Sequence, residues 1–346
     1  MIVLPSGGKL AGRHESEFVL IDFGEARWMK LIVSPLKALS GYVSREFYYI
    51  LNDLITTHGW MHIETHRLST GSGTIRRTLL KEFGEIPRTI LFWEGYDFLT
   101  DHAYDIFRLE SHKMILADDL HWWNERMRQK KATGFALCDM VLSTYAYVWN
   151  RFYPQFAGSK KLVWLPHSAS PEFMLRRNEH PENSILLSGA INDHYPLRQQ
   201  MKALYERRSY PIAYHRHPGY HCGYDHDEND DVGKGYAWKI NKHRVGFTDS
   251  LRYRYVVAKY FEIPATGALL LADAAVSGPL REIGFEENKH YVPVSKENLE
   301  EKIRYVLDEA NHEELDEIRR RGQELIMQKH KTSDRAKKIN ELGVAG

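Results

Sequence analysis

Lys259 and Glu262 are the two residues whose types and spacing most directly suggest chemistry. They lie three positions apart in a segment predicted to be helical, so they share one face of that helix. A lysine ammonium donates hydrogen bonds to phosphate, and a carboxylate accepts them from two vicinal hydroxyls such as those of ribose. The alternative, an ordinary surface ion pair on an amphipathic helix, is what the spacing alone favours.

The segment before this pair predicts an anion site. The strand-like run 244–247 is followed by Thr248, Asp249 and Ser250, and either of the last two residues would cap a helix that continues to Gly267. A helix that begins directly after a strand presents free N–H groups and the positive end of its dipole, which together suit a diphosphate.

Acidic residues follow two strand-like runs in the first half of the chain. Asp97 comes after 89–93, whereas Asp119 and His121 come after 113–117. The carboxyl ends of strands in an open α/β sheet are where ligands bind, and Asp or His can accept a proton from a reacting hydroxyl. We predict Asp119 and His121 as leading candidates for this base and Asp97 as the next. Helix capping is an equally good explanation of the acids.

Arg216 and His217 follow the predicted strand 212–214 and form a further candidate anion contact, with capping of the strand as the alternative. The run from these residues to His226 also contains the side-chain types that bind zinc. Its spacing is irregular and it leads into an acidic loop, so we predict no metal site.

The elements that must position these residues alternate between short β-type runs and helical stretches, which predicts α/β layers. A first series of strands is expected within 30–144, and a second series is expected to start near residue 162 and to continue to 271. At 346 residues the chain has the length of two domains, and residues 1–29 are interpreted as an N-terminal extension.

The amino-acid composition indicates which kinds of binding partner and which cellular compartment to expect. Lys plus Arg number 47 and Asp plus Glu 46, a net charge of +1 that argues against a nucleic-acid partner. Two cysteines exclude a disulfide framework and favour a reducing compartment. No secretory signal or membrane-length apolar run is evident, so we predict a cytoplasmic protein. A basic stretch at 318–338 follows an acidic one at 297–317, and we hypothesise a docking face for an anionic acceptor or for peripheral contact with an anionic membrane surface.

Several ordered segments resemble GT-B glycosyltransferases, especially the spore-maturation-protein-like (CgeB-like) group related to group 1 glycosyltransferases. The resemblance is carried by residues 244–273 with 284–285 and 291–294, by 165–173, by 188–191 with 195–198, and by 298–342. It implies an α/β fold with two Rossmann-like domains that face a central cleft. The implied domains are 30–165 on the acceptor side, 166–325 for the nucleotide sugar, and a terminal helix within 326–346 that returns to the first domain.

The resemblance also implies roles for residues. Glu262 matches the glutamate that holds the ribose, and Thr248–Ser250 matches the loop near the diphosphate. Gly189, Arg198 and Tyr255 belong to segments of the donor domain, and Lys259 would neutralise the diphosphate. Arg254 departs from the pattern, because many retaining relatives carry a glutamate there; its charge would instead help to neutralise the diphosphate. Pro264 also departs from it, at a site usually filled by a helix former, and should kink the last helical turn.

The implied activity is transfer of a hexose-like unit from a nucleoside diphosphate sugar to an acceptor hydroxyl of a glycan, glycolipid or other glycoconjugate. No metal or other cofactor is expected, since cationic side chains can stabilise the leaving diphosphate. Two alternatives stay open: a sugar-nucleotide epimerase of the same fold, and a non-catalytic carbohydrate-binding or surface-assembly protein.

Overall fold

The computed structural model describes residues 28–69, 74–159 and 161–344. The predicted N-terminal extension therefore lies, apart from its last two residues, outside the described residues. Within the described part, eleven strands form two parallel sheets, one in each half of the chain. This confirms the predicted α/β architecture.

The first sheet has the strand order β2-β1-β3-β4-β5-β6, and all its pairs are parallel. Buried strands of parallel sheets consist of nearly continuous apolar runs, which is why β1, β3, β4 and β5 were predictable from sequence. The edge strand β2 carries two polar residues and was not predicted. The strands are β1 Lys30–Ser34, β2 Met61–Glu64, β3 Thr89–Trp93, β4 His112–Ala117, β5 Met140–Ser143 and β6 Lys161–Trp164.

Eight helices lie in the described residues of this half. They are α1 Leu36–Ser40, α2 Glu46–Thr56, α3 Thr65–Ser69, α4 Ile75–Phe83, α5 Tyr96–Asp101, α6 Ala103–Phe107, α7 Glu125–Leu137 and α8 Trp149–Phe152, with 3₁₀ turns at Ala146–Val148 and Pro154–Phe156.

The second sheet has the order β11-β10-β9-β7-β8 and is also parallel throughout. Its strand order reverses between β7 and β9, and ligands of open α/β sheets bind at such a switch point. The strands are β7 Glu182–Gly189, β8 Ile212–Arg216, β9 His243–Thr248, β10 Leu269–Asp273 and β11 Val292–Val294. The helices are α9 Pro196–Glu206, α10 Gly233–Lys242, α11 Lys259–Ala265, α12 Ser277–Glu282, α13 Leu299–Leu307, α14 His312–Lys329 and α15 Thr332–Val344, with 3₁₀ turns at Pro171–Phe173, Ala274–Val276 and Glu309–Asn311.

The last helix, α15, packs against the first half of the molecule rather than the second. Ala336 and Ile339 are fully buried in the core beside α2. The side-chain oxygen of Asn340 accepts hydrogen bonds from Lys30 at 2.7 Å and from the Trp60 indole at 3.0 Å. The chain thus crosses between its two halves twice, and the crossings pair where Ala169 N donates to the carbonyl of His330 at 2.9 Å. No helix among the described residues is long and apolar enough to cross a membrane.

Candidate functional site

A cavity of about 520 Å³ lies between the carboxyl edges of the two sheets. Residues of both halves line it, as expected for a ligand site at a domain interface. Eight of the fourteen predicted site residues line the cavity: Asp119, His121, Gly189, Arg198, His217, Tyr255, Lys259 and Glu262.

Two cations meet at the end of β7, where Gly189 has φ +97°. A Cβ atom added to Gly189 would lie 2.8 Å from Nη1 of Arg198 and 2.9 Å from Cε of Lys259. Only glycine therefore fits between these two side chains. The arrangement, here called the cationic cradle (Gly189, Arg198 and Lys259), concentrates positive charge at the switch point of the second sheet.

Thr248 and Asp249 hold Arg198 in place instead of facing the cavity. Arg198 is 2 % exposed, and its Nη2 donates to Thr248 Oγ1 at 3.0 Å while its Nε lies 3.4 Å from Asp249 Oδ1. Burial raises the pKa of Asp249, and the charge of Arg198 opposes that rise. Both predicted diphosphate contacts thus lie outside the cavity lining and support Arg198: Thr248 accepts from its guanidinium, and Asp249 accepts from its backbone N–H at 3.1 Å. The Ser250 side chain also has a partner within the chain, because its hydroxyl donates a hydrogen bond to Asp273 Oδ2 at 2.5 Å.

Lys259 and Glu262 lie on one face of α11 and line the cavity. Lys259 Nζ donates to the hydroxyl of Tyr236 at 2.5 Å and lies 3.8 Å from Glu262 Oε2. Burial raises the pKa of Glu262, and the adjacent ammonium opposes the shift. The pair is therefore buried at the cavity wall, and the alternative of an exposed surface pair is wrong.

The predicted helix start at Asp249 or Ser250 is also wrong. Helix α11 begins only at Lys259, and residues 250–255 form a turn in which Leu251 and Arg254 adopt φ of +55° and +61°. These left-handed residues interrupt any helix, and they turn Tyr253 and Tyr255 toward the first sheet. Leu251 and Tyr255 are buried in the core of the first half of the molecule. Arg254 is exposed outside the cavity, so the structure does not place it at the predicted diphosphate site.

Tyr255 fixes the loop that carries Asp119 and His121. Its hydroxyl accepts hydrogen bonds from the backbone N–H of Leu120 at 3.2 Å and of His121 at 3.1 Å. Its ring stacks on Tyr145 with centroids 3.7 Å apart and planes 6° apart. The Lys131 ammonium also donates hydrogen bonds to the backbone carbonyls of Asp119 and His121. The loop is thus fixed by a tyrosine from the second half and a lysine from the first.

A buried chain of charged groups lies beside this loop, and the sequence analysis missed it. His167 Nδ1 lies 2.7 Å from Glu46, and its Nε2 lies 3.3 Å from Asp118 and 2.8 Å from the Tyr145 hydroxyl. Burial opposes protonation, but the charges of Glu46 and Asp118 outweigh it and hold the pKa of His167 well above its usual value. The imidazolium in turn holds the pKa of Asp118 below its usual value despite burial. A lone glutamate on α2 gave no sequence signal.

Asp119 and His121 respond differently to this environment. Half of the Asp119 side chain is exposed, but it faces the cavity interior; burial and the charge of Asp118 raise its pKa to about 7. Burial together with Lys131 and His194 lowers the pKa of His121 to about 4. A carboxylate with a pKa near neutrality next to a neutral imidazole, 3.7 Å apart, is the combination expected of a general base.

The remaining predicted residues lie elsewhere. Asp97 is exposed and ion-pairs with Lys130 outside the cavity, which corrects its prediction as a candidate base. Arg216 is also exposed outside the lining, whereas His217 faces the cavity, and burial with the charge of Lys259 lowers its pKa to about 4. Within the described ranges, no group of three or more His, Cys, Asp or Glu is arranged to hold a metal ion.

The two halves of the chain also contact each other at another part of the cavity wall, near Arg45. Arg45 at the start of α2 ion-pairs with Glu172, which also lies 3.4 Å from His226 Nδ1. The backbone N–H of Gly223 donates to the carbonyl of Gly41 at 2.8 Å. The loop after β8 is thus tied to the loop before α2.

Comparison with known proteins supports this description of the fold. Residues 198–341, less than half of the chain, match the model of a family described as glycosyl transferase-like. None of the curated proteins matches the sequence.

Solved structures of GT-B glycosyltransferases match nearly the whole chain at low identity. Sucrose-phosphate synthase of Thermosynechococcus elongatus has a TM-score of 0.60 and 10% identity over 91% of this chain and 98% of its own. HepE of Anabaena in complex with UDP has a TM-score of 0.56 and 10% identity, and the match covers 92% of this chain and 100% of HepE. An α-glucosyltransferase in complex with UDP and a 13-mer DNA has a TM-score of 0.52 and 10% identity, and the match covers 92% of this chain and 100% of the α-glucosyltransferase chain. The chain therefore has the GT-B fold, and its residues 198–341 match the glycosyl transferase-like family.

Proposed function

We propose that this protein is a glycosyltransferase that moves a sugar from a nucleoside diphosphate sugar to an acceptor hydroxyl. The observation that carries the proposal is the composition of the cavity between the two sheets. Its second-domain wall presents the cationic cradle, and its first-domain wall presents Asp119 with a pKa near 7. The group proposed to stabilise the leaving diphosphate and the proposed base thus line the same cavity.

The donor is bound mainly by the second domain. Arg198 and Lys259 neutralise the diphosphate above Gly189, and charge that develops on the leaving diphosphate is stabilised by the same two cations. Glu262 accepts hydrogen bonds from the ribose hydroxyls, a role that its position at the buried end of the cavity wall supports. Because two fixed cations already face the diphosphate, the proposal includes transfer that does not depend on a metal, and this is tested by activity in excess EDTA.

The acceptor is a carbohydrate or glycoconjugate that enters on the first-domain side. Asp119 takes the proton from its hydroxyl as the oxygen attacks the anomeric carbon, and the diphosphate leaves with the bonding electron pair. Tyr255, Lys131 and His167 act as positioning residues for the 118–121 loop. An epimerase would need no acceptor, whereas the cavity extends well beyond the cradle toward this loop.

The decisive experiment measures thermal stabilisation by UDP and by several nucleoside diphosphate sugars for the wild type and for Glu262→Ala. We expect nucleotide to stabilise the wild type and the variant to lose most of that shift. Nucleotide release that appears only after an acceptor is added distinguishes a transferase from an epimerase. Absence of stabilisation by any nucleotide would overturn the donor assignment.

Peripheral membrane contact remains a proposal for the basic stretch 318–338. Its three consecutive arginines already have partners within the chain: Arg319 with Gly267 O, and Arg320 and Arg321 with Glu317. Sedimentation with anionic and neutral liposomes decides the question, and equal binding to both would remove this contact.

A further inference from the structure

A cluster of aromatic and cationic side chains at the mouth of the cavity has no part in the donor site. Tyr253, at the tip of the 250–255 turn, stacks on His121 of the first domain with ring centroids 4.7 Å apart and on His194 with centroids 5.6 Å apart. Trp123 meets both imidazoles edge-on, at 5.3 and 6.1 Å. All four rings line the cavity.

Trp123 is 70% exposed in spite of these contacts. Exposing a large aromatic ring to water is costly, and such exposure at a cavity is typical of a surface that a ligand covers. Tyr220, from the loop after β8, is 61% exposed and lines the same cavity. The exposed rings therefore come from both domains.

Two guanidinium groups lie near the Tyr253 ring, although neither arginine lines the cavity itself. Arg252 donates from Nη2 to the Tyr253 hydroxyl at 3.1 Å, and its guanidinium lies 5.2 Å from the ring centroid. Arg151 lies 5.9 Å from the same centroid, and its Nη1 donates to the carbonyl of Arg252 at 3.4 Å. In the described parts of the chain, neither arginine forms an ion pair with a carboxylate.

Two unpaired arginines beside one ring form an anion site. Guanidinium groups bind phosphate and carboxylate through paired N–H donors, and like charges held close together favour an anion between them. The cradle consists of different side chains, Arg198 and Lys259, so these two arginines are not needed for the donor diphosphate.

We propose that the acceptor subsite takes a sugar that carries an anionic group, either a phosphate or a carboxylate. The sugar ring lies against Trp123 and Tyr253, its anion is bound by Arg252 and Arg151, and its free hydroxyl faces Asp119. The His121 ring connects the two ends, since it stacks on Tyr253 and its Nδ1 lies 3.7 Å from Asp119. This inference rests on the proposed transferase function and specifies its acceptor.

The test is calorimetric titration of the full chain with glucose 6-phosphate, glucuronate and neutral methyl glucoside, each with and without saturating UDP. We expect both anionic sugars to bind the UDP-saturated protein about tenfold more tightly than methyl glucoside, with an affinity that falls as salt rises. Preference for one anionic sugar over the other identifies the group as phosphate or carboxylate.

Variants separate the parts of the subsite. Arg252→Gln should weaken the two anionic sugars about tenfold and leave methyl glucoside unchanged, whereas Arg207→Gln, an exposed arginine of the same domain, should change neither. Trp123→Ala should weaken all three ligands, and the exposed Trp238, which lies outside the cavity, provides the matched control as Trp238→Ala.

Three results would overturn the proposal. They are equal affinity for neutral and anionic sugars, no effect of Arg252→Gln, and displacement of glucose 6-phosphate by UDP, which would place the anion in the cradle. UDP that fails to bind would overturn the donor assignment alone, because an anionic sugar whose binding depends on Arg252 would still establish this subsite.

Discussion

Replacing Tyr255 with phenylalanine removes one oxygen atom that two backbone N–H groups share. The stacking of the ring on Tyr145 is retained, so the change isolates the hydrogen bonds to Leu120 and His121. Leu120 is fully buried, and its N–H would have no access to water after the substitution. A buried donor without an acceptor costs about 1–3 kcal/mol, whereas the N–H of His121 can recover part of its bonding through the cavity.

We therefore expect Tyr255→Phe to lower the free energy of unfolding by about 2 kcal/mol, close to a 30-fold change in the ratio of folded to unfolded chain. The readout is the guanidinium unfolding midpoint together with hydrogen exchange at amides 120 and 121, which should become faster. Turnover should fall more than affinity for UDP, because the cationic cradle is not touched.

Tyr153→Phe is the matched control. Tyr153 is also fully buried in the first domain, but its hydroxyl has no hydrogen-bond partner among the described residues. Its removal should leave stability unchanged or raise it slightly, because an unpaired polar atom is replaced by an apolar one. Equal midpoints for the two variants, with unaltered exchange at residues 120 and 121, would refute the assignment of Tyr255 as the group that fixes this loop.

Three further perturbations test separate parts of the site. Gly189→Ala should weaken UDP binding at least about tenfold in a calorimetric titration, since its Cβ would displace Arg198 and Lys259 and the residue would be strained at φ +97°; wild-type affinity would contradict the cradle. The wild type should lose stability as pH rises above about 6.5, because the folded chain keeps the His167 proton that the unfolded chain releases. His167→Gln should abolish this loss. If the free energy of unfolding depended on pH with equal slopes in both proteins, this role of His167 would be excluded. Asp119→Asn should remove the rise in kcat/KM near pH 7, and an unchanged profile would assign that proton to another group.

The buried strands β1, β3, β4 and β5 were predictable because each is specified locally, whereas the edge strand β2 was not predicted. Residues 89–93 form a continuous apolar run in a sheet covered on both faces, and that pattern is unambiguous. Residues 250–255 are different, because the left-handed conformations of Leu251 and Arg254 are stabilised by burial of Leu251 and Tyr255 in the core of the other domain. Good capping residues at 249 and 250 therefore predicted a helix that tertiary contacts override.

The residues of the site also fall into two groups, those whose positions are set locally and those that tertiary contacts bring together. Lys259 and Glu262 could be paired from sequence, since α11 alone sets their spacing. Arg198 is brought to Gly189 by the turn that follows β7, and only the family resemblance suggested it. Glu46 and His167 are 121 positions apart, and their contact depends on the chain crossing between domains. No periodicity or spacing connects such residues, so this buried ion pair is visible only in the folded molecule.

The donor and acceptor parts of the cavity depend on the domain arrangement to different degrees. Gly189, Arg198 and Lys259 all belong to the second domain, so the cradle stays intact whatever the angle between the domains. The 118–121 loop, in contrast, donates two backbone hydrogen bonds to the Tyr255 hydroxyl, which belongs to the other domain. Separation of the domains would therefore remove the hydrogen bonds between the loop and Tyr255. The hydrogen bonds from Lys131 to the loop and the cradle itself would stay in place. It follows that the loop of the proposed proton acceptor is held from both domains only while the cleft is closed, whereas the proposed donor site is complete in either state.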